Sequence, residues 1–150
     1  MSSIQPIIRP YQDTDYSQVC HVWELTGMGG EERGDDAAVL ERTIRMGGML
    51  LVMELDGKII ATSWLTQDGR RVYLHHFGIL PQWQGRGWSG PLLKASLSWV
   101  RAQGMQVKLE VHSENRKAVN LYVRAGFKPL GKYDVYIIRQ PENIMNKDDE

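Results

Sequence analysis

Apolar positions along this chain repeat with a period of two in some stretches and with a helical period in others. Ile4 to Arg9 alternates as a short strand that Pro10 ends, and Asp13 offers an N-cap for a helix running to about Thr26. Gly27 to Asp36, rich in Gly, Glu and Asp, reads as a loop leading to a second helix over roughly Asp36 to Met46. Gly48 to Glu54 and Lys58 to Thr66 flank Asp56-Gly57, a strong two-residue hairpin signal, and Gln67 to Arg70 turns the chain into a third strand, Arg71 to Ile79. After a loop at 81–87, Trp88, Leu92, Leu93, Leu97 and Val100 keep helical spacing until Gly104 stops the run. A strand over Met105 to His112 follows, then a helix from near Asn115 to Ala125 that ends at Gly126. Strands over Phe127 to Leu130 and Lys132 to Arg139 come last. The order predicts an α+β fold with a mixed sheet and helices on its faces, in one domain over residues 1–140, followed by a polar tail at 141–150. No internal repeat or linker is visible.

Composition narrows the setting. A chain of 150 residues with 42% apolar content can bury one substantial core. The longest purely apolar run, Met49 to Met53, is far short of the ~20 residues a membrane helix needs, so no membrane partner is expected. The first twenty residues carry Gln5, Arg9, Asp13 and Asp15 where a secretory signal would be apolar, which makes the cytoplasm the default compartment. Cys20 shares a helical face with Tyr16, Val19 and Trp23 and is expected in the core. His21, His75, His76 and His112 lack metal-ligand spacing with any cysteine pair, so no metal is expected. Basic and acidic residues balance at 18 each, leaving no global positive field for nucleic acid. Their distribution is uneven: residues 1–60 are net −5 and residues 61–140 net +8, so an anionic ligand belongs in the second half.

Gly85-Arg86-Gly87-Trp88-Ser89-Gly90 satisfies G-x-G-x-x-G, and Glu110 lies 20 residues beyond Gly90. The physics serves any diphosphate: glycines let the backbone approach, and N–H groups at a helix N-terminus hold the anion. A nicotinamide site is disfavoured, because a Rossmann turn passes almost directly from strand to first glycine, whereas Pro81-Gln82-Trp83-Gln84 intervenes here. The opening meander and the 60 residues after Gly90 also fit that fold poorly.

Two separated segments together resemble the GCN5-related N-acetyltransferase (GNAT) superfamily. Gln84-Gly85-Arg86-Gly87-Trp88-Ser89 resembles its Q/R-x-x-G-x-G/A pyrophosphate loop, after a strand ending Phe77-Gly78-Ile79. Asn115-x-x-Ala118-x-x-Leu121-Tyr122-x-x-x-Gly126-Phe127 matches its N-x-x-A-x-x-L-Y-x-x-x-G-F pattern at every defined position. The one departure puts Ser89, followed by Gly90 and Pro91, where the family has Gly or Ala; serine is small, and proline is tolerated in a first helical turn.

The resemblance implies a GNAT-like mixed, mostly antiparallel sheet with splayed central strands. It also implies acetyl-CoA as acetyl donor and direct attack by a primary amine in a ternary complex. The same residues would serve a non-catalytic acyl-CoA sensor. Tyr122 matches the family tyrosine that protonates the departing thiolate. Strand alternation puts Tyr73, His75, Phe77 and Ile79 on one face and Leu74, His76 and Gly78 on the other. Tyr73 and His75 then take substrate-facing positions, with His75 or ordered water as the base, and a structural histidine explains His75 equally well. His76 is expected to pack under a helix. The resemblance puts a polarising backbone N–H near Phe77 or Gly78, where glycine favours a kink. Asn115 would contact the pantetheine arm, and Asn at a helix start is also a good N-cap. Glu31, Glu32, Asp35 and Asp36 form an acidic stretch that would suit a cationic small-molecule or peptide amine, or serve only as a solvated loop. Homodimers are common in the family.

Overall fold

The first strand, β1 (Ile7–Pro10), stops at a proline, as the missing N–H dictates. The computed structural model describes residues 4–145 and divides into two compact units, one ending at His112 and one starting at Ser113. A 3-10 turn over Asp13–Asp15 leads into α1 (Tyr16–Leu25). Asp15, not Asp13, fixes this corner: it accepts the Gln12 N–H at 2.8 Å and the Arg9 guanidinium at 2.8 and 3.0 Å. Of the two acids, Asp15 is the one paired with Arg9; the turn is closed by Gln12 and Asp15, and no side chain caps α1 itself. α2 (Ala37–Arg45) starts where expected, with Asp36 Oδ1 accepting the Val39 N–H at 2.9 Å.

β2 (Met49–Leu55), β3 (Lys58–Gln67) and β4 (Arg71–Ile79) form the expected meander. Asp56 and Gly57 take φ of 50° and 79°, the positive values at both central positions that a type I′ hairpin demands. After α3 (Ser89–Gln103), β5 (Gln106–Leu109) pairs in parallel with β4, and the sheet order is β1-β2-β3-β4-β5 with every other pairing antiparallel.

Helices cover both faces. On one, fully buried Trp23 of α1 stacks on Trp64 at 5.4 Å and donates its indole N–H to Thr62 Oγ1 at 3.0 Å. Trp64 donates to Thr43 Oγ1 of α2 at 3.0 Å, so both indoles bury their area with the polar tip satisfied. On the other face, Ser96 of α3 meets Ser63 at 2.6 Å between hydroxyl oxygens, and Leu92 and Leu93 of that helix are buried. Cys20 departs from expectation, being partly exposed while its neighbours Val19 and Trp23 are fully buried. No helix among the described residues is long and apolar enough to cross a membrane.

In the second unit, α4 (Arg116–Arg124) is N-capped by Asn115, whose Oδ1 accepts the Ala118 N–H at 3.3 Å. Its C-terminus is a Schellman motif: Phe127 N–H donates to Tyr122 O at 3.0 Å and Gly126 N–H to Val123 O at 3.1 Å, with Gly126 at φ 108°. The strands expected over Phe127 to Leu130 and Lys132 to Arg139 are absent. Lys132 to Arg139 is exposed and pairs with no strand. Its β-branched and aromatic residues favour a strand only when a partner ladder and a face to pack on are supplied.

Candidate functional site

β4 carries the first element of the site. Pairing with β3 slips between Thr62 and Trp64, and opposite the slip His76 sits at φ 43°, a left-handed conformation unusual for histidine. The bulge therefore lies at His76, ahead of the kink expected at Gly78. It also breaks the expected alternation, because both His75 and His76 come to lie against Trp64, at ring-centroid distances of 6.0 and 5.2 Å. His76 packs beneath α1 as anticipated, 4.6 Å from the Trp23 ring. Gly78 is held close to the end of α1 as well: a Cβ there would come within 2.7 Å of Met28 Cε. Pairing between β4 and β5 ends at Leu74 and Leu109, so Phe77, Gly78 and Ile79 continue beyond the parallel ladder. The parallel ladder thus stops before the three residues that the resemblance places against the donor.

Tyr73 and His75 do share a face. Their rings stack at 4.3 Å with planes 10° apart, His75 Nε2 lies 2.8 Å from Thr66 Oγ1, and the Tyr73 hydroxyl donates to Glu110. Burial, then the Glu110 carboxylate, pushes the Tyr73 phenol up. Burial, helped by neighbouring His76, pulls His75 down to about 4, and burial with Arg33 nearby does the same to His76. Both imidazoles are neutral near pH 7. His76 Nε2 points toward Asp35 Oδ2 at 3.4 Å without hydrogen-bond geometry.

The second element is the loop before α3. Gln84 donates its side-chain N–H to the Ile79 carbonyl at 2.8 Å, tying the loop's first residue to the end of β4. Gly85 and Gly87 take φ of 77° and 80°, and a Cβ at Gly85, Gly87 or Gly90 would meet no atom within 4 Å. α3 begins at Ser89 with Trp88 as N-cap, and no side chain caps it. An open glycine backbone leading into an uncapped helix N-terminus fits a diphosphate. Arg86 lies over Trp83 at 4.8 Å and Trp88 at 5.8 Å, and the two indoles stack at 5.9 Å. Trp83 was missed in the sequence, although a W-x-x-R-x-W spacing was its signal.

Asn115, Ala118 and Tyr122 lie together on α4 in the second unit. Asn115 is the N-cap, and buried Tyr122 has its phenol pushed up to about 12 by burial. The acidic stretch is engaged internally: Glu31 accepts from Tyr16 at 3.0 Å, Glu32 from the Gly30 N–H at 3.1 Å and Asp36 from Val39, while Asp35 faces His76. Among the described residues no group of three or more His, Cys, Asp or Glu side chains could hold a metal ion.

Residues 16–127 match the family model of the acetyltransferase (GNAT) family. The chain belongs to the GNAT family. The matched region is an acyltransferase domain, and its mixed sheet with helices on both faces is the GNAT fold. Mycothiol acetyltransferase of Beutenbergia cavernae is 35% identical over 83 residues, which cover 54% of this chain but only 28% of that protein's length. An acetyltransferase of Yersinia enterocolitica is 21% identical over 122 residues, 81% of this chain and 86% of the other. Among solved structures, a GNAT family protein of Streptococcus pneumoniae superposes with TM-score 0.73 at 20% identity, over 91% of this chain and 100% of its own. Aminoglycoside N-acetyltransferase AAC(6')-Iy, solved in complex with CoA, has TM-score 0.73 at 17% identity, over 93% and 98% of the two chains.

Proposed function

We propose that this GNAT protein transfers the acetyl group of acetyl-CoA to a primary amine by direct attack within a ternary complex. The observation that carries the proposal is the open loop from Gln84 to Gly90 at the uncapped start of α3. Backbone N–H groups of that loop and of the first turn of α3 would hold the pyrophosphate, with Gln84 fixing the loop to β4. Acetyl-CoA supplies the activated acyl group. Phe77, Gly78 and Ile79, beyond the end of the β4–β5 ladder, form the backbone against which the thioester carbonyl would be polarised.

By family resemblance Tyr122 gives its proton to the departing thiolate, and Asn115 and Ala118 flank the arm of the donor. A phenol held at about 12 stays protonated at neutral pH, as an acid must. The amine loses its proton to ordered water. His75, at about 4, is too weak a base to gain a proton from an ammonium, and its ring nitrogen is already engaged with Thr66. The bonds balance: a C–N bond forms, the C–S bond breaks, and the products are an N-acetyl amine and CoA thiol. A single domain with a homodimeric state is the proposed assembly.

Thiol release from acetyl-CoA across a panel of primary amines, with Tyr122→Phe as control, tests the reading. Amine-dependent release that the substitution suppresses is the expected result. Tight acetyl-CoA binding with no release for any amine would favour the acyl-CoA sensor instead.

A further inference from the structure

The face bearing Tyr73 and His75 opens into a cavity of about 270 Å³ at the start of β4, and the cations in its wall are Arg70, Arg71 and Lys108. None of the three is in an ion pair among the described residues, where Asp15 and Glu54 pair with Arg9. The one carboxylate in the wall, Asp68, is occupied in holding the turn: Oδ1 accepts the backbone N–H groups of Arg70 at 2.8 Å and Arg71 at 2.7 Å. Arg71 Nε donates to a neutral partner, Gln106 Oε1, at 3.1 Å, and Lys108 Nζ lies 5.4 Å from the Tyr73 ring centroid. Glu110, the other acid nearby, accepts the Tyr73 hydroxyl. The floor is the uncharged Tyr73–His75 stack, with the Thr66 hydroxyl beside it.

We infer that this cavity binds an anionic group of the acceptor, so that the amine substrate also carries a carboxylate or phosphate. Cations lining one cavity with no carboxylate at ion-pair distance are matched by an anion with charge-assisted hydrogen bonds. The inference rests on the acetyl-transfer reading for the identity of the ligand. It differs from the cationic acceptor that Glu31, Glu32, Asp35 and Asp36 would suit; three of those four acids already accept hydrogen bonds within the chain. From Arg71 to His76 the strand rises roughly 16 Å, and a guanidinium reaching along it leaves on the order of 10 Å between anion and amine. A short peptide with a free carboxylate, or an amino compound of similar length ending in phosphate, has that span.

Two measurements on the full chain separate this inference from the parent reading. In the first, N-acetylglycylglycine and its amide are titrated against the protein saturated with acetyl-CoA, observing the His75 ring by NMR. The carboxylate should bind saturably and its amide at least about tenfold more weakly, with Arg71→Ser and Lys108→Ser each lowering affinity for the carboxylate. Equal binding of acid and amide would overturn the inference, as would saturable binding of the carboxylate to the free protein that is absent from the acetyl-CoA-saturated one, because the anion held there would then be the donor's own phosphate. In the second, thiol release is compared for glycylglycine and its amide, and for 2-aminoethyl phosphate and ethanolamine. The anionic member of each pair should be preferred through KM, and the preference should fall to about one in the doubly substituted R71S/K108S chain. Turnover without that preference sinks the anion site and leaves acetyl transfer standing; saturable anion binding with no turnover of any amine does the reverse.

Discussion

Phe127 meets Tyr122 edge-on, with ring centroids 5.7 Å apart and planes at 67°. The pair is the hydrophobic contact of a Schellman motif, and it gives a reason for the Gly-Phe that ends the motif beginning at Asn115. The two rings therefore have separable jobs. Tyr122→Phe should leave the melting temperature within about 2 °C of wild type and lower kcat by about 100-fold. Phe127→Ala should cost about 1–2 kcal/mol and loosen α4, and Phe127→Leu should restore much of that loss. Thermal melts read beside thiol release check both.

His75→Asn should reduce kcat/KM by less than about tenfold and leave the shape of its pH profile unchanged. The acid limb should track the acceptor amine's own pKa. A limb that disappears in the variant would make His75 the base after all.

Gly90 sits in the first turn of α3 at an ordinary φ, with open space where a Cβ would stand. Gly90→Ala should thus leave stability unchanged or slightly higher. If a diphosphate presses on that backbone, the added methyl should weaken acetyl-CoA binding by about tenfold. Calorimetric titration beside a thermal melt separates the two effects.

His75 and His76 are neutral in the fold at pH values where the unfolded chain would protonate them. Between about pH 6.5 and pH 4 the unfolded state therefore holds more protons, and stability present above that window is lost as pH falls through it. A drop in melting temperature of about 5–10 °C from pH 7 to pH 4.5 is expected. His76→Asn, which tolerates the left-handed backbone at that position, should flatten the slope.

Asp15 is buried, and its carboxyl is held well below the usual range by the Arg9 hydrogen bonds. Asp15→Ala strands that guanidinium at the start of the sheet, and chemical denaturation should report a loss of about 3 kcal/mol.

Local chemistry made much of this legible in advance. Asp56-Gly57 has only one good turn to make, Asp36 caps the helix it precedes, and the motif from Asn115 to Phe127 encodes its own two caps. What was not legible depends on partners distant in sequence. The bulge at His76 reflects how β3 and β4 fit beneath Trp23, and alternation alone, which did put His76 under a helix, carries no sign of it. The cavity at the start of β4 joins Arg70 and Arg71 to Lys108, which nothing short of the parallel β4–β5 pairing brings together.

The unpaired stretch at Lys132 to Arg139 bears on how the protein behaves in concentrated solution. Val135, Tyr136, Ile137 and Ile138 are between 63% and 89% exposed, a four-residue run with strong β-propensity and no charge. Lys132, Asp134 and Arg139 bracket it as gatekeepers, and their repulsion is all that opposes stacking of the run between molecules. With a formal net charge of zero, the chain adds no colloidal repulsion at neutral pH, so aggregation should start at this run, and a charge placed within it is the change that would stop it.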